Sequence, residues 1–139
     1  MLAAHFTPEE IAALSARIDP DRPSGLDYYP LLRPGERFPV NDPALAPRLT
    51  PRPADDALFL QGLFEGIAAI EASAYRLLES LGGPPLGLIR SVGGGAANPV
   101  FTRLRTARLG VPAAPVASEE AAAGAARLAL HGARKAGLV

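Results

Sequence analysis

The chain has 139 residues, 48% hydrophobic and 20% charged, which is enough apolar mass for one domain with a core and too ordinary a composition for a disordered one. Its 14 basic and 14 acidic residues cancel, so there is no general pull toward nucleic acid or an anionic membrane, and recognition of a phosphate would have to be local. No cysteine is present, which excludes disulfides, thiolate metal sites and cysteine catalysis, and no other metal framework is visible.

The opening residues Met1 to Phe6 lack a basic flank and an apolar core of the secretory type, and no apolar run approaches membrane-spanning length, so the expected location is the cytoplasm. Thr7-Pro8-Glu9-Glu10 announces a first helix, with Thr7 as cap, Pro8 at the first helical position and Glu10 completing a capping box. That helix should end by Asp19-Pro20, giving a first segment over 1–19. Residues 20–53 are dense in proline and turn signals, so a long ordered loop is expected there. Its interleaved Leu26, Tyr28, Tyr29, Leu31, Leu32, Phe38 and Val40 predict that the loop packs on a surface.

A helix over about 55–81 follows, with Leu60, Leu63, Phe64, Ile67, Ile70, Ala74, Leu77, Leu78 and Leu81 recurring at three- and four-residue steps as a face to be buried. Gly82-Gly83-Pro84-Pro85 ends it. Residues 86–92 read as a strand, 98–109 as a helix closed by Gly110, 111–116 as a short extended piece, and Ser118-Glu119-Glu120 as the cap of a last, alanine-rich helix. The fold class expected is α/β, with residues 54–139 as an αβαβα core and the two strands parallel through a right-handed crossover. Two strands are a poor sheet, so a further partner is expected beside them.

The most informative motif is Ser91-Val92-Gly93-Gly94-Gly95-Ala96-Ala97-Asn98-Pro99, a strand, glycine turn and helix start. Without Cβ atoms the backbone of Gly93, Gly94 and Gly95 can approach a ligand and reach positive φ, and the helix start points N–H groups back at it. A nucleotide suits such a turn; a ligand-free tight turn is the plainer reading. The spacing Gly93-x-Gly95-x-x-Asn98 also approximates a dinucleotide fingerprint, from which it departs at the third glycine.

Several segments, in order, resemble the FGGY carbohydrate kinases. Tyr29-Pro30-Leu31-Leu32-Arg33-Pro34-Gly35-Glu36-Arg37-Phe38-Pro39 is similar to their proline-rich P-L-x-G-E-R-x-P loop, and Leu63-Phe64-Glu65-Gly66-Ile67-Ala68 to their L-x-E-G-I-A helix. Gly93 to Asn98 resembles their adenosine-binding turn, and Leu109-Gly110-Val111-Pro112 with Glu119 to Ala126 their closing segment. The pattern from Gly25 to Pro30 and from Asn41 to Pro53 is most similar to the ribulose- and xylulose-type branch, which implies a pentulose substrate.

The resemblance implies part of an actin-like, ribonuclease-H-like ATPase lobe: a short parallel sheet flanked by helices, with ATP and Mg2+ as the cofactor of the complete enzyme. It implies the C-terminal portion of the second lobe, with most sugar contacts, the catalytic aspartate and both phosphate loops lying outside these residues. The isolated chain is then expected to be inactive, partnered by the missing kinase part or by a second copy. A noncatalytic interaction or regulatory module is the alternative.

The resemblance implies nucleotide contacts for Gly93, Gly94, Gly95, Ala96, Asn98 and Phe101. Asn98 could cap the helix, contact adenine, or both, and Phe101 could stack on the base or belong to the core. No catalytic residue is expected. Glu36 and Arg37 read as loop-holding groups, Glu65 and Glu71 as solvated or capping carboxylates, and Arg103, Arg105 and Arg108 as a soluble helix face. His5 and His131 lack companion ligands and read as solvated.

Overall fold

A computed structural model describes residues 1–116 and 121–138. It contains four α-helices: α1 (Pro8–Ser15), α2 (Asp56–Ser80), α3 (Pro99–Leu109) and α4 (Ala121–Lys135), with short 3-10 turns at Leu2–Ala4 and Gly94–Ala97. The expected cap at 118–120 lies outside the described residues.

Local chemistry sets the helix ends. Thr7 accepts from the Glu10 amide at 3.2 Å while Glu10 Oε2 accepts from the Thr7 amide at 2.8 Å, which is the expected capping box. α1 stops at Ser15, short of the expected end, because the Arg17 and Ile18 amides close tight turns onto Leu14 and Ser15 and carry Ile18 into the core. Asp55 caps α2, and Gly110, at φ 71°, ends α3 in the left-handed conformation that glycine tolerates best.

α2 is the central strut. Leu60, Leu63, Phe64, Ala68 and Ala72 are buried against α1, α3 and the proline-rich loop. Its last turns leave the packed body, so Leu78 and Leu81 are exposed, contrary to the expectation for that face. By length and composition α2 could cross a membrane, against the expectation that no run reaches that length; its middle is occupied by the rest of the chain.

The proline-rich loop contains no helix or strand and runs beside α2. Two isolated antiparallel bridges, Tyr29 to Arg48 and Glu36 to Asp42, fold it back on itself. Tyr28 is buried, and its phenol donates to the Pro51 carbonyl. Its ring meets Phe59 edge-on at 5.7 Å, Phe6 and the exposed His5 do so at 6.1 and 5.3 Å, and the Arg52 guanidinium lies 3.8 Å from the Phe59 ring centre. Gly62 and Gly66 create the seat: a Cβ on Gly62 would stand 2.8 Å from the Tyr28 ring, and one on Gly66 2.8 Å from the Tyr28 carbonyl oxygen. Leu32, Phe38 and Val40, at the far end of the loop, are exposed rather than packed.

The expected strand pair is reduced to one parallel bridge, Ile89 to Ala113, closed by Ile89 N–H to Pro112 O at 3.0 Å and Ala114 N–H to Ile89 O at 2.9 Å. Among the described residues no strand extends it. The parallel sense agrees with the expected crossover, but two short segments without flanking strands cannot bury both faces of a sheet. Among the described residues α4 is also exposed along most of its length, Leu128 by 75%.

Candidate functional site

The glycine turn joins the bridged segment to α3. Gly93 sits at φ 81°, ψ −172°, a region essentially closed to residues with a side chain. The turn then closes on itself, the Ala96 amide donating to the Gly93 carbonyl at 3.0 Å and the Asn98 amide to Gly95 at 3.4 Å. Gly95 lies against Phe101, whose ring edge would be 3.4 Å from a Cβ placed there.

Asn98 does more than cap. Its Oδ1 accepts from the Phe101 amide at 3.0 Å, and its Nδ2 donates to the Ser15 hydroxyl at 2.8 Å, tying the start of α3 to the end of α1. Pro99 has no N–H, the Phe101 amide is taken by the cap, and the Thr102 amide bonds to the Asn98 carbonyl at 3.0 Å. The expected row of free N–H groups facing a phosphate is therefore largely consumed.

Between α1, α2 and the turn lies an open cavity of about 670 Å³, within the range of small-molecule sites. Gly95, Asn98 and Phe101 line it together with Ile11, Phe64 and Ile67, and among the described residues no ionisable side chain is on its wall. An apolar slot of this kind, with the polar backbone of a glycine turn at its edge, accommodates a flat heteroaromatic ring better than a charged group. Phe101 meets Phe64 with ring centres 5.0 Å apart and belongs to both the core and the cavity wall. Gly93, Gly94 and Ala96 belong to the adjoining turn but not to that wall.

Two carboxylates read as solvated or capping instead tie distant segments together. Glu65 accepts from the Ser24 amide at 3.0 Å, the Ser24 hydroxyl at 2.5 Å and Gln61 Nε2 at 2.9 Å, holding the entry of the loop to α2. Glu71 receives a fork from Arg105, Nε at 2.5 Å and Nη2 at 2.6 Å, and the remaining guanidinium nitrogen reaches the Ser91 hydroxyl. This pair is largely shielded, with 16% and 22% of the two side chains exposed, and the Glu71 hydrogen bond holds the Arg105 guanidinium above its ordinary pKa against the opposing effect of burial. Arg103, by contrast, pairs with Asp21 on the surface, as a soluble face would. Glu36 braces its own loop, accepting from the Arg37 amide at 3.0 Å. Apart from Gln61, one turn before Glu65, the partners of the two carboxylates lie 34 to 41 residues away, and the helical spacing carried no signal of those.

Among the described residues no group of three or more His, Asp or Glu side chains is placed to hold a metal ion. A family model described as the FGGY family of carbohydrate kinases, C-terminal domain, matches residues 3–133, which takes in α1, the proline-rich loop, α2, the glycine turn and α3 in one span. The chain therefore belongs to the FGGY family of carbohydrate kinases, as a C-terminal domain of that family.

Proposed function

We propose that this chain supplies the adenosine-binding side of an ATP-dependent kinase that phosphorylates a pentulose such as ribulose or xylulose. The observation that carries the nucleotide reading is the apolar cavity bounded by Gly95, Asn98 and Phe101 beside the glycine turn. Adenine would enter between Phe101 and the α1 face, while Gly93, Gly94, Gly95 and Ala96 would let the ribose and the first phosphate lie against backbone. Magnesium would arrive on the ATP phosphates, where such ions are commonly held. The pentulose assignment rests on the loop motifs from Gly25 to Pro30 and from Asn41 to Pro53.

Among the described residues the cavity wall offers no carboxylate or imidazole to take a proton from a sugar hydroxyl, so in this reading the chain positions nucleotide and a partner surface supplies the acid–base chemistry. The single bridge at Ile89 and the uncovered α4 support the same division: the sheet needs neighbours, provided by the remainder of an actin-like kinase or, failing that, by a second copy. Cytoplasmic action belongs to this reading.

Calorimetric titration of the 139-residue chain with ADP tests it, with Gly95→Val as the comparison because its side chain would press on Phe101 and fill the cavity mouth. Saturable binding weakened by Gly95→Val is expected. A flat trace on folded protein would overturn binding by the chain itself, and turnover of ribulose or xylulose by the chain alone would overturn the division of labour.

A further inference from the structure

The two stems of the glycine turn are held by different devices. Asn98 secures the outgoing stem through its cap and its bond to Ser15. On the incoming side Ile89 is buried, but Val92 is 61% exposed and Gly93 is exposed, so neither fixes the approach to the turn. The side chain that does is Ser91, two residues before Gly93, through its bond to Arg105. Arg105 cannot swing freely, because two of its nitrogens are committed to Glu71 on α2 and its stem lies on α3. A planar guanidinium fixed by a bidentate carboxylate presents its third nitrogen in one direction only.

We propose that Glu71, Arg105 and Ser91 form a positioning relay that sets the incoming stem of the glycine turn, so that nucleotide affinity at the turn is governed from α2 and α3. The proposal rests on the adenosine reading for its functional consequence, but its structural part stands separately. Neither Arg105 nor Glu71 is among the residues lining the cavity; they act through Ser91. Arg103, on the same helix, pairs with the loop residue Asp21 on the surface through a single nitrogen, and among the described residues it makes no further side-chain bond, which makes it the natural control.

Two readouts on the full chain test the relay: amide hydrogen exchange over residues 92–97, and ADP affinity. Ser91→Ala is expected to speed exchange in that stretch about tenfold, the loss of one hydrogen bond to a charged group, while amides in the middle of α2 keep their rates. Ser91→Thr, which keeps the hydroxyl, is expected to restore it, and Arg105→Lys, which keeps the charge but loses the fork, to resemble Ser91→Ala. ADP affinity should follow the same order, with Arg103→Ala unchanged in both readouts. Equal exchange in Ser91→Ala and wild type, or acceleration spread evenly over the whole chain, would overturn the relay. If the exchange pattern appears but wild type does not bind ADP, the relay stands and the adenosine reading falls.

Discussion

Asn98 gives the sharpest energetic test. Replacing it by alanine removes the acceptor for the Phe101 amide, about 1 kcal/mol for a helix cap, and the bond to Ser15, about another 1 kcal/mol. Ser15 is 5% exposed, so its hydroxyl is left short of a partner where water has little access, and the total loss should reach about 2–3 kcal/mol. For a chain of this size that corresponds to a fall in Tm of roughly 8–12 °C. Urea denaturation of wild type, Asn98→Ala, Ser15→Ala and the double variant isolates the cross-link, because the cap is absent from both variants that lack Asn98. A coupling of about 1 kcal/mol between the two positions is expected. Asn98→Ser, which keeps a capping oxygen on a side chain too short to reach Ser15, should recover about half of the loss. A coupling of zero would refute the claim that Asn98 ties α3 to α1, whatever the single variants do.

Other outcomes follow from the same geometry. Gly93→Ala meets open space but a closed backbone region, so it should cost about 1–3 kcal/mol by torsional strain, read by denaturant titration. Gly66→Ala gains about 1 kcal/mol of helix propensity yet drives a Cβ into the Tyr28 carbonyl, so a lower Tm and faster exchange of the Tyr29 amide are expected, whereas Gly132→Ala in α4, where a Cβ meets open space, should show no such loss. Leu63→Ala, at a fully buried position, should lose about 2–5 kcal/mol. Burial holds the Tyr28 phenol above its ordinary pKa of 10.0, with Arg52 opposing. The folded state then keeps a proton that the unfolded chain releases, so this contribution is intact below pH 10, and stability falls as pH rises from there through the raised value. Tyr28→Phe should flatten that part of a plot of Tm against pH.

What was readable in the sequence is what depends on neighbours in the chain. Thr7 with Glu10, Asn98 with Pro99, and Gly110 marked helix ends correctly because a cap is formed within one turn. The loop and the span of α2 were legible for the same reason: proline density and a three-to-four period are local signals. The Ser15 to Asn98 bond, the fork from Arg105 to Glu71 and the seat of Ser24 on Glu65 were not, since they join residues 83, 34 and 41 positions apart. The cavity escaped for the same reason, being made by α1 folding over a turn far along the chain. The sheet was over-read. Apolar pattern gave strand character to residues 86–92 and 111–116, but pairing depends on flanking strands that local pattern does not contain.

The seat that Gly62 and Gly66 provide on α2 has a metrical side. Four residues of α-helix advance about 6 Å, and two residues of extended chain advance about 6.6 Å, so Tyr28 and Pro30 step along the loop almost in time with the two glycines. The match works as a vernier: the loop can settle with its tyrosine over one gap and its proline over the next, and sliding by one residue would turn the opposite side of the chain toward the helix. A single-residue insertion between Leu26 and Pro30 should thus be tolerated far less well than one near the exposed Val40, even though both fall in the same proline-rich stretch.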